Sequence, residues 1–310
     1  MLYATRPGAL PARFRRERVL IVGCGDVGLR VARALPMRVR LLALTSSVER
    51  TVELRKRGIT PLAGNLDSPD SLRRLAGLAT RVLHLAPPPG AGWQDPRTLA
   101  LTRALRRRSL PHAFVYGSTS GVYGDCQGEV AMETRAAHAD TARARRRIDA
   151  EDSVRFYGRA ASVCSSILRI PGIYAPDREG GTPHTRLLKG TPVLQAQDDV
   201  YTNHIHADDL ARACLVALWR GQPQRIYNVN DDTCLKMGDY FDLAADLYGL
   251  PRPPRVPRDT AKDQLPLMLL SFMSESRRMD NTRMKRELRL KLKYPTVDTG
   301  LRPLPKATDR

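Results

Sequence analysis

Three closely spaced glycines near the start of the chain constrain its fold more than any other feature. Gly23, Gly25 and Gly28 directly follow an apolar run at residues 19–22, and a segment with helical spacing begins at residue 26. A strand, then Gly-x-Gly-x-x-Gly, then a helix is typical of the first unit of a dinucleotide-binding sheet. The first glycine permits a tight turn, the second lets a pyrophosphate approach the backbone, and the third lets helix and strand pack closely.

The start of that helix completes the predicted phosphate site. Asp26 and Val27 follow the second glycine, and the helix N-terminus there presents unpaired N–H groups and a positive dipole to a phosphate. We therefore assign Asp26 and Val27, with the three glycines, to cofactor binding. The alternative is a glycine-rich turn without a ligand.

Strand-like and helical segments alternate after this motif. The strand-like runs are residues 18–23, 39–44, 59–63, 81–86, 113–117 and 162–170, and the helical segments are residues 26–35, 48–57, 68–76, 95–108 and 140–157. Alternation of this kind predicts parallel strands joined by right-handed crossovers. The expected fold class is α/β, with a doubly wound (Rossmann) parallel sheet.

The end of the second strand bears on the choice of dinucleotide. Thr45 and Ser46 stand at its tip, Arg50 lies just beyond, and no carboxylate occupies the tip itself. A carboxylate there would hold the ribose 2′-hydroxyl of NAD, whereas hydroxyls and an arginine suit a 2′-phosphate. We therefore predict NADP. NAD remains the alternative, with Glu49 in the following helix as a looser acidic candidate.

Composition narrows the function classes. The chain carries 51 Lys and Arg against 32 Asp and Glu, a formal net charge of +19, which raises the question of a nucleic-acid partner. The arginines are scattered through helical segments, so most are expected on solvated helix faces, and a nucleic-acid partner is not favoured. The five cysteines form no Cys-x-x-Cys pair, which indicates a reducing cytoplasm and no thiolate metal site. No apolar run is long enough for a membrane span.

Seven ordered motifs carry a family resemblance from residue 18 to about residue 294. They are residues 23–28, 64–66, 84–87, 117–124, 168–174, 203–210 and 227–231. In this order they resemble the extended short-chain dehydrogenases/reductases, the nucleotide-sugar epimerase/dehydratase superfamily. The form of the glycine motif is similar to the atypical branch of that superfamily.

The resemblance implies a nicotinamide cofactor over the sheet, contacted also by Asn65, Leu66 and Ala86. It implies a smaller C-terminal substrate lobe, a small-molecule substrate and a homodimer formed through two sheet-flanking helices. The corresponding organisation is a flexible basic leader (1–17), a dinucleotide-binding domain (18–170, with 200–230 returning to it), and a substrate-binding lobe (171–199 and 231–310).

Catalysis in the resembled family uses a Ser or Thr together with a Tyr-x-x-x-Lys pair, and this chain departs from that pattern. None of its ten tyrosines has a lysine four residues later. Alignment on Glu151 places Arg143 at the tyrosine position and Arg147 at the lysine position. Because a guanidinium stays protonated, Arg143 cannot act as acid or base, whereas Arg147 could keep the cationic role.

Other residues of the resembled site are present. The family match places the substrate-polarising hydroxyl on Thr119 and makes Tyr123 a candidate replacement acid, with a packing role as its alternative. Arg178, Arg186 and Arg278 are available for an anionic group, with surface charge as their alternative.

Three functions remain open. The first is an NAD(P)-binding oxidoreductase or epimerase/dehydratase-like enzyme for a nucleotide-sugar-like or small polyhydroxy or carbonyl substrate. The second is a catalytically silent NADP(H)-binding sensor or assembly protein. The third is a basic nucleic-acid-binding protein.

Overall fold

A computed structural model of the chain describes residues 16–302. In chain order the elements are β1 (Arg18–Val22), α1 (Asp26–Ala34), β2 (Arg40–Thr45), α2 (Val48–Lys56), β3 (Thr60–Ala63), a 3₁₀ helix (Pro69–Leu75), β4 (Arg81–His84), α3 (Pro96–Leu105), β5 (Ala113–Thr119), a 3₁₀ helix (Ser120–Tyr123), β6 (Val130–Ala131), α4 (Ala142–Ala160), β7 (Cys164–Ile170), β8 (Gly172–Tyr174), α5 (His184–Leu188), β9 (Val193–Leu194), β10 (Tyr201–Thr202), β11 (His204–His206), α6 (Ala207–Arg220), β12 (Arg225–Asn228), β13 (Leu235–Lys236), α7 (Met237–Tyr248), β14 (Arg255–Val256), α8 (Arg258–Gln264), α9 (Leu267–Phe272), β15 (Arg278–Met279), α10 (Thr282–Glu287) and α11 (Val297–Leu301).

In the described residues, seven parallel strands form the main sheet in the order β12-β7-β5-β4-β1-β2-β3. The predicted doubly wound parallel sheet is therefore confirmed. The order reverses beside β1, and in open α/β sheets such a switch point opens a crevice at the carboxyl ends of the strands. One predicted helix, over residues 68–76, is instead a short 3₁₀ helix, and within the described residues its N-cap residue Ser68 makes no side-chain capping hydrogen bond.

The core lies on both faces of the sheet, which explains the nearly continuous apolar strands. Val19 and Ile21 of β1 pack on one face in a cluster with residues of α1 and α6. Leu20 and Val22 pack on the other face with residues of α3 and α4. Successive side chains of a strand point to opposite faces, so a strand covered on both sides has to be apolar at every position.

After β7, the chain adds one more strand to the main sheet and forms several two-stranded pairs outside it. β12 joins the sheet at its edge beside β7, whereas β10 and β11 pair with β13 and β8. A separate apolar cluster joins α7 and α11 around Tyr174. The domain boundaries predicted from the sequence remain a prediction, and most of the predicted leader lies outside the described residues. No helix between residues 16 and 302 is long and apolar enough to cross a membrane.

Candidate functional site

The three glycines of the motif meet three different surroundings. Gly23 has a φ of +85°, and a Cβ there would lie 2.3 Å from the backbone nitrogen of Ala86. A Cβ on Gly28 would lie 3.2 Å from the Gly23 carbonyl oxygen, whereas a Cβ on Gly25 would have no atom of the described residues within 4 Å. Only Gly25, at the N-terminus of α1, therefore faces open space, which is where a pyrophosphate has to approach the backbone.

A cavity of about 550 Å³ extends from this turn along the carboxyl ends of β1 to β4. Of the predicted cofactor residues, it brings together Gly23, Gly25, Thr45, Ser46, Arg50, Asn65, Leu66 and Ala86. Asp26, Val27 and Gly28 do not line it. The residues present fit a bound dinucleotide, since open backbone at a helix N-terminus continues into a groove past the tip of β2.

The charged residues at the far end of this cavity are the ones that a cofactor ribose would meet. Arg50 lies on the wall, where its Nη2 donates to the Cys24 carbonyl oxygen at 2.6 Å. Glu49 does not line the cavity, and its carboxylate accepts from the Ser47 hydroxyl at 2.5 Å. Among the described lining residues the one carboxylate is Asp67.

Asp67 is itself already engaged. Both of its oxygens accept from Arg97, at 2.6 Å each, and this contact lowers the pKa of the carboxyl. The described wall of this cavity thus carries a cationic Arg50 near the tip of β2, while its one carboxylate is already paired with Arg97.

A second cavity, of about 540 Å³, begins at the end of β5 and is closed by residues from the second half of the chain. Thr119 lines it, and its Oγ1 accepts from the Gly121 backbone N–H at 3.3 Å. Within residues 16–302 this hydroxyl donates no hydrogen bond in the structure, so its proton can point to a substrate oxygen. We refer to this cavity as the cleft.

Tyr123 lies away from the cleft. It is 1% exposed, and its hydroxyl donates to Asn228 Oδ1 at 2.7 Å. The Arg169 guanidinium lies 4.6 Å from the ring centre, and burial raises the pKa of the phenol. Because no substrate could reach its hydroxyl in this arrangement, the geometry favours the packing role for Tyr123.

The two arginines at the Tyr and Lys positions differ in where their side chains go. Arg143 is exposed and lines the cleft. Arg147 does not line it, because its Nη1 donates to the Tyr116 hydroxyl at 3.0 Å and to the Gly117 carbonyl at 2.8 Å. Arg147 therefore anchors the end of β5, directly before the segment that carries Thr119.

The titratable groups around the cleft include no phenol–ammonium pair, and no lysine lines it within the described residues. Burial raises the pKa of Tyr174 and of Tyr240. His204 stacks on Tyr240 with ring centres 4.2 Å apart, and burial lowers its pKa to about 4. Glu275 accepts from Arg277 at 2.6 Å. The cleft can thus bind and polarise a substrate, but no group is arranged as a strong base among the residues that the structure describes.

Within the described part of the chain, four arginines line the cleft: Arg143, Arg178, Arg186 and Arg277. The predicted Arg178 and Arg186 are among them, but Arg278 is not, which corrects the sequence prediction. Arg278 donates from Nε to the Gly128 carbonyl and lies 5.2 Å from the Tyr201 ring centre. Neighbouring side chains of an extended segment point to opposite sides, so only one of the two consecutive arginines can face the cleft. That alternation is the signal that sequence reasoning missed.

Arg30 of α1 connects the cofactor side to the cleft side. It is 6% exposed and contacts three carboxylates: Asp26 at 3.1 Å, Asp177 at 2.7 Å and Asp208 at 2.5 Å. Asp177 follows β8 in the loop that borders the cleft, and Asp208 lies in the first turn of α6. Asp26 therefore belongs to a bridge between helices rather than to the cavity wall.

Comparison with known proteins agrees with this geometry. The family model described as "NAD dependent epimerase/dehydratase family" matches residues 19–230. A solved structure of a functionally unknown conserved protein from Silicibacter pomeroyi is 31% identical, with a TM-score of 0.78, covering 92% of this chain and 96% of that chain. No curated protein matches the chain.

Two solved UDP-glucose 4-epimerases share the fold at lower identity. The enzyme from Thermotoga maritima, solved with UDP-glucose, is 19% identical with a TM-score of 0.73. The enzyme from Thermus thermophilus, solved with NAD, is 21% identical with a TM-score of 0.73. Each alignment covers 92% of this chain and 96% of the other.

Proposed function

The chain belongs to the NAD-dependent epimerase/dehydratase family, and from this premise we propose that it is an NADP(H)-dependent oxidoreductase or epimerase-like enzyme. Its substrate would be a nucleotide-sugar-like or other small polyhydroxy or carbonyl compound. One observation carries the proposal. The cofactor cavity and the cleft both open at the carboxyl ends of the parallel strands, and Thr119 at the end of β5 lines the cleft.

The cofactor assignment rests on the contacts around β2. The backbone at Gly25 and the start of α1 would hold the pyrophosphate, and Arg50 with Ser46 would hold the phosphate on the ribose. When bound, the nicotinamide supplies a site that accepts or gives a hydride. A cytoplasmic location is part of the proposal, supported by five free cysteines.

The chain's own residues have separate tasks in the proposed chemistry. Thr119 donates a hydrogen bond to the substrate oxygen at the reacting carbon, which favours negative charge on that oxygen. Arg143 adds a permanent positive charge to the same cleft but holds its proton. Arg147 keeps the end of β5 in place through Tyr116 and Gly117. Because no strong base adjoins Thr119 within the described residues, we expect slow turnover that solvent assists.

A catalytically silent NADP(H)-binding protein is the second candidate. Within the described residues, no lysine lines the cleft beside its tyrosines, and this favours the second candidate. The two candidates share the cofactor cavity and differ only in what happens in the cleft.

The deciding experiment measures binding and turnover separately. NADPH binding is followed by nicotinamide fluorescence, and hydride transfer is followed by absorbance across a panel of sugar nucleotides, aldehydes and polyols. Turnover should be lost in Thr119→Val, retained in Thr119→Ser and unchanged in Thr185→Val, whose exposed side chain does not line the cleft. NADPH binding without turnover on any compound would support the silent protein, and absence of NADPH binding would refute both.

A further inference from the structure

Arg186 differs from Arg178 and Arg277 of the cleft because no carboxylate pairs with it in the part of the chain that the structure describes. Its guanidinium lies 4.3 Å from the ring centre of Phe241. Its Nε and Nη2 are buried without an acceptor among residues 16–302. Burial also lowers the pKa of this arginine. A solvated surface arginine would keep these donors in water, so the position holds a cation that is both desolvated and uncompensated.

Two neighbouring arginines on the wall of the cleft share this property in part. Nη1 of Arg178 and Nε of Arg277 are likewise buried, and no described residue supplies an acceptor to either. Arg178 lies 4.0 Å from Asp26, which itself contacts Arg30, and Arg277 pairs with Glu275 at 2.6 Å. Among the described residues, the cleft is therefore lined by four arginines against the single carboxylate of Glu275.

Such an arrangement is costly in the empty protein. A buried donor that leaves water without finding an acceptor opposes folding, and like charges sharing one cavity repel each other. An anion in the cleft offsets both effects, because its oxygens accept charge-assisted hydrogen bonds from the planar guanidinium fork. The Phe241 ring fixes the plane of that fork by stacking. If position 186 served only to pack against Phe241, an uncharged apolar side chain would be more stable there.

We propose that the cleft recognises its substrate through an anionic group, a phosphate or a carboxylate, that is bound by Arg186 on the face of Phe241 with help from Arg178 and Arg277. Arg186 is then a specificity-determining residue, and uncharged sugars and polyols are poor substrates. This inference rests on the proposed function only in taking the cleft as the substrate site.

The test measures anion binding to the full chain by calorimetry, with inorganic phosphate in one arm and malonate in the other. We expect the wild type to bind one of the two better, which identifies the charged group. Arg186→Met keeps the apolar stem on Phe241 and should weaken binding at least tenfold. Arg186→Lys should give an intermediate affinity, because it keeps the charge and loses the fork.

The control variant is Arg159→Met, which removes one exposed charge that does not line the cleft and should leave the affinity unchanged. Should Arg186→Met unfold, Arg277→Met replaces it. Equal affinity in the wild type and the cleft variant, equal weakening in the control, or no binding of either anion to the wild type would each overturn the inference.

NADPH binding is measured on the same samples. Loss of NADPH binding with anion binding intact would refute the proposed function and leave the Arg186 site standing. The reverse result would remove the anion site and leave the cofactor assignment.

Discussion

Gly23 and Gly25 provide a way to separate the fold of the glycine turn from its capacity to bind a cofactor. We predict that Gly23→Ala destabilises the protein, whereas Gly25→Ala leaves it nearly as stable but unable to bind NADPH tightly. The two changes add the same methyl group two residues apart. Any difference between them therefore comes from what the methyl group meets.

The magnitudes follow from the surroundings. At Gly23 an L-residue at φ +85° costs about 1–2 kcal/mol. Overpacking against the Ala86 backbone at 2.3 Å adds about 1–3 kcal/mol. With an unfolding entropy of about 2.1 cal/mol/K per residue over 310 residues, a loss of about 2–5 kcal/mol lowers the melting temperature by about 3–8 °C.

At Gly25 the added methyl group meets no atom of residues 16–302 within 4 Å, and the residue has an ordinary negative φ of −83°. Because Gly25 is the N-cap of α1, Gly25→Ala should lower the free energy of unfolding by only about 0.5–1 kcal/mol. The methyl group does, however, occupy the approach of the pyrophosphate, so the dissociation constant for NADPH should rise at least tenfold.

The assay pairs thermal unfolding, followed by circular dichroism, with NADPH titration by fluorescence. A drop in melting temperature in Gly25→Ala as large as in Gly23→Ala would show that the open space beside Gly25 is filled by protein. Unchanged NADPH affinity in Gly25→Ala would show that no pyrophosphate lies there. Either result refutes the reasoning.

Three further predictions concern the ribose, the pH dependence of stability and the oligomeric state. Arg50→Gln should weaken NADPH binding about tenfold to a hundredfold, the worth of a charged hydrogen bond, and leave NADH binding unchanged; equal effects on both cofactors would argue against a 2′-phosphate contact. Asp231 is 1% exposed, and burial is the main cause that raises its pKa from 3.8 to about 7. The folded state therefore holds the proton more tightly than the unfolded chain, so stability should fall as the pH rises from 3.8 to about 7. Asp231→Asn should remove this dependence. The melting temperature of the variant minus that of the wild type should therefore be larger at pH 8 than at pH 5, and a difference that does not change with pH would contradict the prediction. Phe156 is 60% exposed on α4 and Leu99 is 36% exposed on α3, so we predict a homodimer through these helices that Phe156→Lys converts to a monomer in sedimentation experiments; a wild-type monomer would refute this.

Most of the fold could be predicted from the sequence because it depends on local patterns. The glycine spacing identifies the first turn, and the apolar runs identify strands that are covered on both faces. The cofactor cavity follows in large part, since the loops after parallel strands meet at one edge of the sheet. Asp26 is the exception, because its partner Arg30 is shared with carboxylates that come from distant parts of the chain.

The cleft was less predictable because it depends on where long side chains turn after the backbone is in place. Helical spacing puts Arg143 and Arg147 on one face of α4, yet only Arg143 lines the cleft, while Arg147 reaches back to β5. The burial of Tyr123 depends on Asn228, which lies 105 residues away in the chain. A contact between residues so far apart in the chain cannot be predicted from motif spacing.

The contacts of Arg30 also limit how this chain can be re-engineered. To change the cofactor preference of a dinucleotide-binding protein, one could replace its whole first strand–helix–strand unit with that of another protein. Here that unit carries an arginine whose acceptors, Asp177 and Asp208, lie far along the sequence. A donor unit without an arginine at position 30 would leave two carboxylates facing each other without a counter-charge. A chimera with a transplanted first unit should therefore be less stable unless that arginine, or neutral residues at 177 and 208, come with it.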